Sequence, residues 1–174
     1  MADPRTRLLE RLVDDIGRNG LGDRSLRELA QAVGSSHRML NYHFGSRAGL
    51  VAALVEVVEA GQRDLLGQLA AGAATAEELV MALWHQVSAP ELRPFVRLFF
   101  ECVAATGGVG LTEPWLAVSA EIAGRFGLDS DEAELRMGVA VTRGLLIDVL
   151  ASGDAGPATE SMQRFVAMWE RSRR

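Results

Sequence analysis

The sequence predicts an all-α chain of about nine helices, and three observations carry that expectation. No convincing period-2 run of β-branched residues occurs, and Ala, Leu, Arg and Glu dominate the segments between breakers. Helix start signals recur ahead of those segments. Three of them have capping-box spacing, in which a side-chain oxygen and a carboxylate three residues later satisfy amides left without partners at a helix start: Ser25 with Glu28, Thr75 with Glu78, and Asp129 with Glu132.

Taken in order, the first helix is expected over about Arg5–Arg18, stopped by Asn19-Gly20, and the second over Leu26–Val33, stopped by Gly34. A short third helix follows Ser36 and ends near Phe44. Gly45-Ser46 separates it from a long fourth, about Arg47–Leu69, whose Leu50, Leu54, Val57, Val58, Leu65 and Leu69 recur at helical spacing. The Gly/Ala-rich stretch from Ala70 to Ala74 is expected to end that helix. Further helices are expected at about Ala76–Ser88, Glu91–Ala105, Pro114–Phe126, Ser130–Ser152 and Pro157–Arg171, with Pro114 and Pro157 in first turns, where a missing amide costs nothing. Thr106–Leu111, containing Gly107, Gly108 and Gly110, reads as a loop. It lacks the preceding strand and the lysine of a phosphate loop.

Composition narrows the function. The chain has 174 residues, 48% of them hydrophobic and 24% charged, enough to bury a real core. No apolar run is long enough to span a bilayer and the N-terminal segment is charged, so a cytoplasmic protein without membrane partners is expected. Cys102 is the only cysteine, and His37, His43 and His85 have no zinc-like spacing, so neither a metal nor any other cofactor is expected. No Ser-His-Asp or paired-carboxylate constellation points to an enzyme. The net charge of −5 hides an asymmetry: residues 1–50 carry eight Arg against six Asp and Glu, and the remainder ten against seventeen. If the chain touches nucleic acid, those fifty residues do it.

They also carry a motif. A helix-turn-helix needs a small residue where its helices cross, a glycine at the turn, and apolar pairs locking the second helix to the first. Ala30, Gly34, the pair Leu29 and Val33, and the pair Leu40 and Phe44 supply these. With Leu40 and Phe44 inward, His37, Arg38, Asn41 and Tyr42 face outward. Arg38 has the fork to address a guanine edge and Asn41 the amide to address adenine, while His37 and Tyr42 suit bases or phosphates. Ser25, Ser46 and Arg47 stand near the N-termini of the second and fourth helices, natural places for phosphate, and Ser36, positioned to cap the third, is a further candidate DNA-binding residue.

The stretch SLRELAQAVGSSHRMLNYHFGSRAGL, from Ser25 to Leu50, resembles the DNA-binding signature of the TetR family of regulators, most specifically in Leu40-x-Tyr42-His43-Phe44-x-Ser46-Arg47-x-x-Leu50. It departs from the family pattern at Ser35, Asn41 and Arg47. The resemblance implies that His37, Arg38 and Met39 lie toward base edges and that Tyr42, His43 and Arg47 contact the backbone. It implies a helix-turn-helix DNA-binding domain over 1–46, joined by the long fourth helix to a helical ligand-binding and dimerisation domain over 47–174. The function it implies is that of a transcriptional regulator, a repressor, bound as a homodimer to a palindromic operator in double-stranded DNA and released by a small-molecule inducer. A helical adaptor that keeps the fold without binding DNA is the alternative.

In the second domain, Leu135, Val139, Thr142, Leu146 and Val149, then Met162, Phe165, Val166 and Trp169, form 3-4 stripes on the last two helices. The resemblance places the dimer interface on these two helices; the alternative is that both stripes close the monomer core. Trp84, Phe95, Phe99, Phe100, Trp115 and Met137, with His85, Gln86, Thr142 and Arg143, are the candidate walls and polar groups of a ligand pocket.

Overall fold

The computed structural model describes residues 3–171, which form nine α-helices and, among the described residues, no strand. Helix α1 (Pro4–Asn19) starts with a proline in its first turn and buries Leu8, Leu9, Leu12 and Ile16, one stripe at helical spacing. It stops at Gly20, whose amide closes on the Ile16 carbonyl at 2.8 Å. Helix α2 (Leu26–Ala32) begins with the full capping box: the Glu28 amide donates to Ser25 Oγ, and the Ser25 amide donates to the Glu28 carboxylate at 2.8 Å. Gly34 then turns the chain at φ +62, and the Ser35 amide reaches back to the Ala30 carbonyl at 2.8 Å. An added Cβ at Gly34 would meet nothing within 4 Å, so glycine is needed there for its backbone angle, not for space.

Ser36 caps helix α3 (His37–Phe44), accepting from the Met39 amide at 3.2 Å, and α2 packs against α3 through Leu29, Ala30, Leu40 and Phe44, all buried. Helix α4 (Arg47–Gly72) runs past the expected end at Leu69. Ala70 is buried against Leu66, Leu79 and Ile122, so packing overrides the helix-weakening composition of that stretch.

Helix α5 (Ala76–Val87) is capped by Thr75, which accepts from the Glu78 amide at 3.1 Å; the Glu78 carboxylate takes the Ala74 amide rather than that of Thr75. A 3-10 turn at Pro90–Leu92 leads into α6 (Arg93–Thr106), a shorter helix than expected, because Pro94 cannot extend the ladder backwards. Helices α7 (Glu113–Arg125), α8 (Glu132–Ser152) and α9 (Gly156–Arg171) complete the chain. The cap of α8 is Asp131, accepting from the Glu134 amide at 2.8 Å, and not Asp129. Two overlapping Asp-x-x-Glu frames share this segment, and the chain uses the second.

The helices sort into two compact units. The first holds the chain through Gly61 together with Pro94–Gly108; the second holds Gln62–Arg93 and the chain from Val109. In the first unit α6 joins the N-terminal helices, and Phe95 lies where a Cβ on Gly17 would come within 3.2 Å of its ring. The second unit has two apolar clusters. One gathers Val149, Ala158, Met162 and Val166 around Trp84; the other gathers Leu66, Ala70, Leu79 and Ile122, with Trp115 and Phe126 at its edge. No described helix is long and apolar enough to cross a membrane.

Candidate nucleic-acid interface

The capped turn between α2 and α3 presents one face of α3 outward. Leu40 and Phe44 are buried, while His37, Arg38, Met39, Asn41 and Tyr42 are exposed, Tyr42 by 79%. Helical periodicity places four of them, His37, Arg38, Asn41 and Tyr42, on this face, and the family resemblance adds Met39. A ring as open as that of Tyr42 buries little area and contributes little to the fold. His43 sits half-buried between its neighbours, with ring centroids 5.0 Å from Tyr42 and 6.1 Å from Phe44, and its buried Nε2 has no hydrogen-bond partner.

The residues expected at helix N-termini have other duties. The Ser25 hydroxyl donates to Glu28 at 2.7 Å while its oxygen accepts the Glu28 amide, so its donor is spent within the cap. Those hydrogen bonds from the Ser25 hydroxyl and amide, with the Arg24 charge nearby, hold the Glu28 carboxyl below its ordinary range. An ionised carboxylate thus already occupies the α2 N-terminus, where a phosphate was expected. Ser36 likewise serves as a cap, although its oxygen still carries a hydroxyl proton.

Arg47 turns back onto the segment between α1 and α2. Its Nε donates to the Arg24 carbonyl at 3.2 Å, its Nη2 to the Gly22 carbonyl, and Nη2 lies 3.6 Å from the Glu101 carboxylate on α6. Arg24 in turn pairs with Asp15 at 2.7 Å. Ser46 caps α4 by accepting the Gly49 amide at 3.0 Å.

Sequence reasoning missed Arg5. Its guanidinium stacks 5.4 Å over the Phe44 ring, which sets an exposed positive charge beside the end of α3. The signal available was the clustering of Arg5, Arg7 and Arg11 in the first helix.

The candidate ligand residues are divided between the two units. Trp84 is sealed at 1% exposure, with Nε1 donating to Thr159 Oγ1 at 2.9 Å, so it is core of the second unit. Phe95, Phe99 and Phe100 lie on α6 in the first unit, Phe99 and Phe100 edge to face at 5.3 Å. Trp115 is half-buried, with Arg63 6.0 Å over its ring. His85, Gln86 and Met137 are exposed. The Thr142 hydroxyl donates to Gly138 within its own helix, and Arg143 ties down the loop before α7 through Thr112 Oγ1 and the Leu111 carbonyl, each at 2.8 Å. A shallow groove of about 310 Å³ in the second unit is lined by Ala74, Thr75, Ala76, Phe126, Leu128, Trp169 and Glu170. None of the candidate ligand residues lines it.

Of the candidate dimer residues, Val149, Met162 and Val166 are buried in the monomer, and Leu146 and Phe165 pack against the same Trp84 cluster. These five side chains form part of the seam among α5, α8 and α9. Leu135, Val139 and Trp169 are half-buried. The apolar side chains left open on these helices are Met137, Ile147 and Met168. Met137, Ala140, Gly144, Ile147 and Ala151 recur every three or four residues and are all exposed, so they share one outer face of α8.

A capped helix-turn-helix followed by further helices defines, among the described residues, an all-helical class of fold. Solved structures place the fold within it. A TetR-family transcriptional regulator from Pectobacterium atrosepticum superimposes with a TM-score of 0.77 at 18% identity, over 97% of this chain and 93% of its own. A Rhodococcus sp. protein assigned to the same family gives 0.72 at 18%, over 94% and 96%. FadR of Thermus thermophilus, a TetR-family repressor solved with lauroyl-CoA, gives 0.66 at 16%, over 94% and 93%. No family model matches the sequence, and no curated protein matches it. The chain has the all-helical fold of the TetR-family transcriptional regulators.

Proposed function

We propose that this protein is a DNA-binding transcriptional regulator of the TetR type, which reads double-stranded DNA with α3. The observation that carries the reading is the division of α3 into a closed face, Leu40 and Phe44, and an open one, His37, Arg38, Met39, Asn41 and Tyr42, on a helix capped and turned as the motif requires. Arg38 and Asn41 address base edges; Tyr42, His43 and Arg5 address the backbone.

One short helix reads too few base pairs for specificity in a genome, so the reading includes a homodimer on a palindromic operator. The outer face of α8, with Met137 and Ile147, and Met168 on α9 are the surfaces offered to a second copy. Functionally, residues 1–46 would hold the reading head and 47–174 the sensing and pairing helices. Release by a small molecule, and hence a repressor's role, is supported by FadR of Thermus thermophilus, which was solved with an acyl-CoA. Such a ligand acts by favouring a dimer in which the two α3 helices are wrongly spaced for the operator.

The test is selection of binding sites from random duplexes by the purified protein at low salt, followed by titration over salt. A palindromic consensus bound in the range of about 10⁻⁸ to 10⁻¹¹ M supports the regulator. Weak binding without an enriched sequence, falling steeply with salt, removes the specific reading and favours a helical adaptor.

A further inference from the structure

We propose that Glu101 on α6 restrains Arg47 at the start of α4, so that a DNA phosphate must displace a carboxylate before it can use this arginine; the inference rests on the DNA-binding reading above. Arg47 Nη2 lies 3.6 Å from Glu101 Oε2, and the two side chains keep 39% and 35% of their surface exposed, so the pair is accessible. The carbonyls of Arg24 and Gly22 fix the guanidinium over the segment leading to α2. They orient it but bring no net charge.

Glu101 supplies the charge. A carboxylate presents the guanidinium fork with the same pair of anionic oxygens that a phosphate does, so the two compete for one group. The first turn of α4 has no acidic residue of its own, and Asp15 is engaged 2.7 Å from Arg24. The anion facing Arg47 therefore comes from a helix some fifty residues away in sequence, and α6 packs in the same compact unit as the reading head. Glu101 is thus a positioning residue for DNA binding.

The strength of the restraint is bounded. A partly exposed pair of this kind contributes up to about 1 kcal/mol, equivalent to a factor of about five in affinity. The experiment measures binding of a fluorescent mixed-sequence duplex at low salt by the full chain, as wild type, Glu101→Gln, Arg47→Ala and the double variant, each checked for folding by circular dichroism. Glu101→Gln is expected to tighten binding about two- to fivefold. Arg47→Ala is expected to weaken it and lower the salt slope by about one contact. In the Arg47→Ala background the gain from Glu101→Gln should disappear. Glu101→Asp, with one methylene less of reach, should fall between wild type and Glu101→Gln.

The proposal is overturned if Glu101→Gln leaves affinity unchanged, or if its gain persists undiminished without Arg47, which would mark a general charge effect. Binding by wild type with a flat response to Glu101→Gln defeats this inference alone. Failure of all the proteins to bind any duplex defeats the DNA-binding reading and the inference with it.

Discussion

At the scale of single residues, the capping network determines which polar groups remain available to a ligand. Ser25 looks from sequence like both a cap and a phosphate donor, but its hydroxyl proton goes to Glu28, and the second role lapses. The spacing of Ser25 and Glu28 was legible; where the hydroxyl proton points was not, because that depends on the closed geometry of the box. The consequence is measurable. The Glu28 carboxyl, held ionised by the Ser25 hydrogen bonds, should titrate below the ordinary glutamate range by NMR, and Ser25→Ala should move it back up. The sign for stability follows: with its pKa depressed on folding, Glu28 contributes above the unfolded-state value, and that contribution fades as pH falls through the folded-state value. The outward side chains of α3 behave differently, since nothing in the fold consumes them. Arg38→Ala is expected to cost about 1–3 kcal/mol of discrimination between operator and scrambled duplex, with little change in thermal stability. Equal loss on both duplexes would make Arg38 a phosphate contact instead of a base reader.

At the scale of elements, the helices themselves were mostly legible, and the differences lie at their ends. The third helix was expected to follow Ser36 and end near Phe44, and it spans His37–Phe44, because one capping serine and one glycine bracket it. The end of α4 and the start of α8 were misplaced because a buried alanine and a second Asp-x-x-Glu frame decided them, and neither shows in local composition. Glycines inside α4 extend the point. A helical glycine replaced by alanine ordinarily gains up to about 1 kcal/mol. Gly61 has nothing within 4 Å of an added Cβ, so Gly61→Ala should raise the melting temperature. At Gly49 the same Cβ would lie 2.2 Å from the Phe44 carbonyl oxygen, which belongs to backbone that cannot step aside cheaply. Gly49→Ala is therefore expected to destabilise by about 1–3 kcal/mol, as overpacking does, and to disturb the join between α3 and α4. Opposite signs for two glycines of one helix, read by thermal unfolding, would confirm that Gly49 is there for close approach. A stabilised Gly49→Ala would refute it.

At the scale of the whole molecule, the proposed homodimer requires a stripe of α8 that the monomer leaves open to a second copy. Periodicity marks apolar positions but does not name the partner, and α8 carries two stripes. The more hydrophobic one ends in Leu146 and Val149, which pack with Trp84, Met162 and Val166 within the monomer. The poorer one, Met137, Ala140, Gly144, Ile147 and Ala151, stays open; its small residues suit close approach of helices, and its two large ones are costly to leave in water. A pair of substitutions separates the roles. Val149→Glu places a charge at a site 2% exposed and should unfold the second unit, lowering helix content at ambient temperature. Ile147→Glu changes a side chain already 53% exposed, so the monomer should keep its circular dichroism and melting behaviour. If the outer face of α8 is the dimer surface, Ile147→Glu should raise the dimer's dissociation constant by about a hundredfold or more, since burying an unpaired charge costs several kcal/mol. Sedimentation at micromolar concentration would then show dimer for wild type and monomer for Ile147→Glu. Operator binding should fall with it, because two linked α3 helices gain affinity that neither has alone. A variant that stays dimeric would move the interface off this face of α8; one that becomes monomeric yet binds the operator as tightly as wild type would remove the reason for the palindrome.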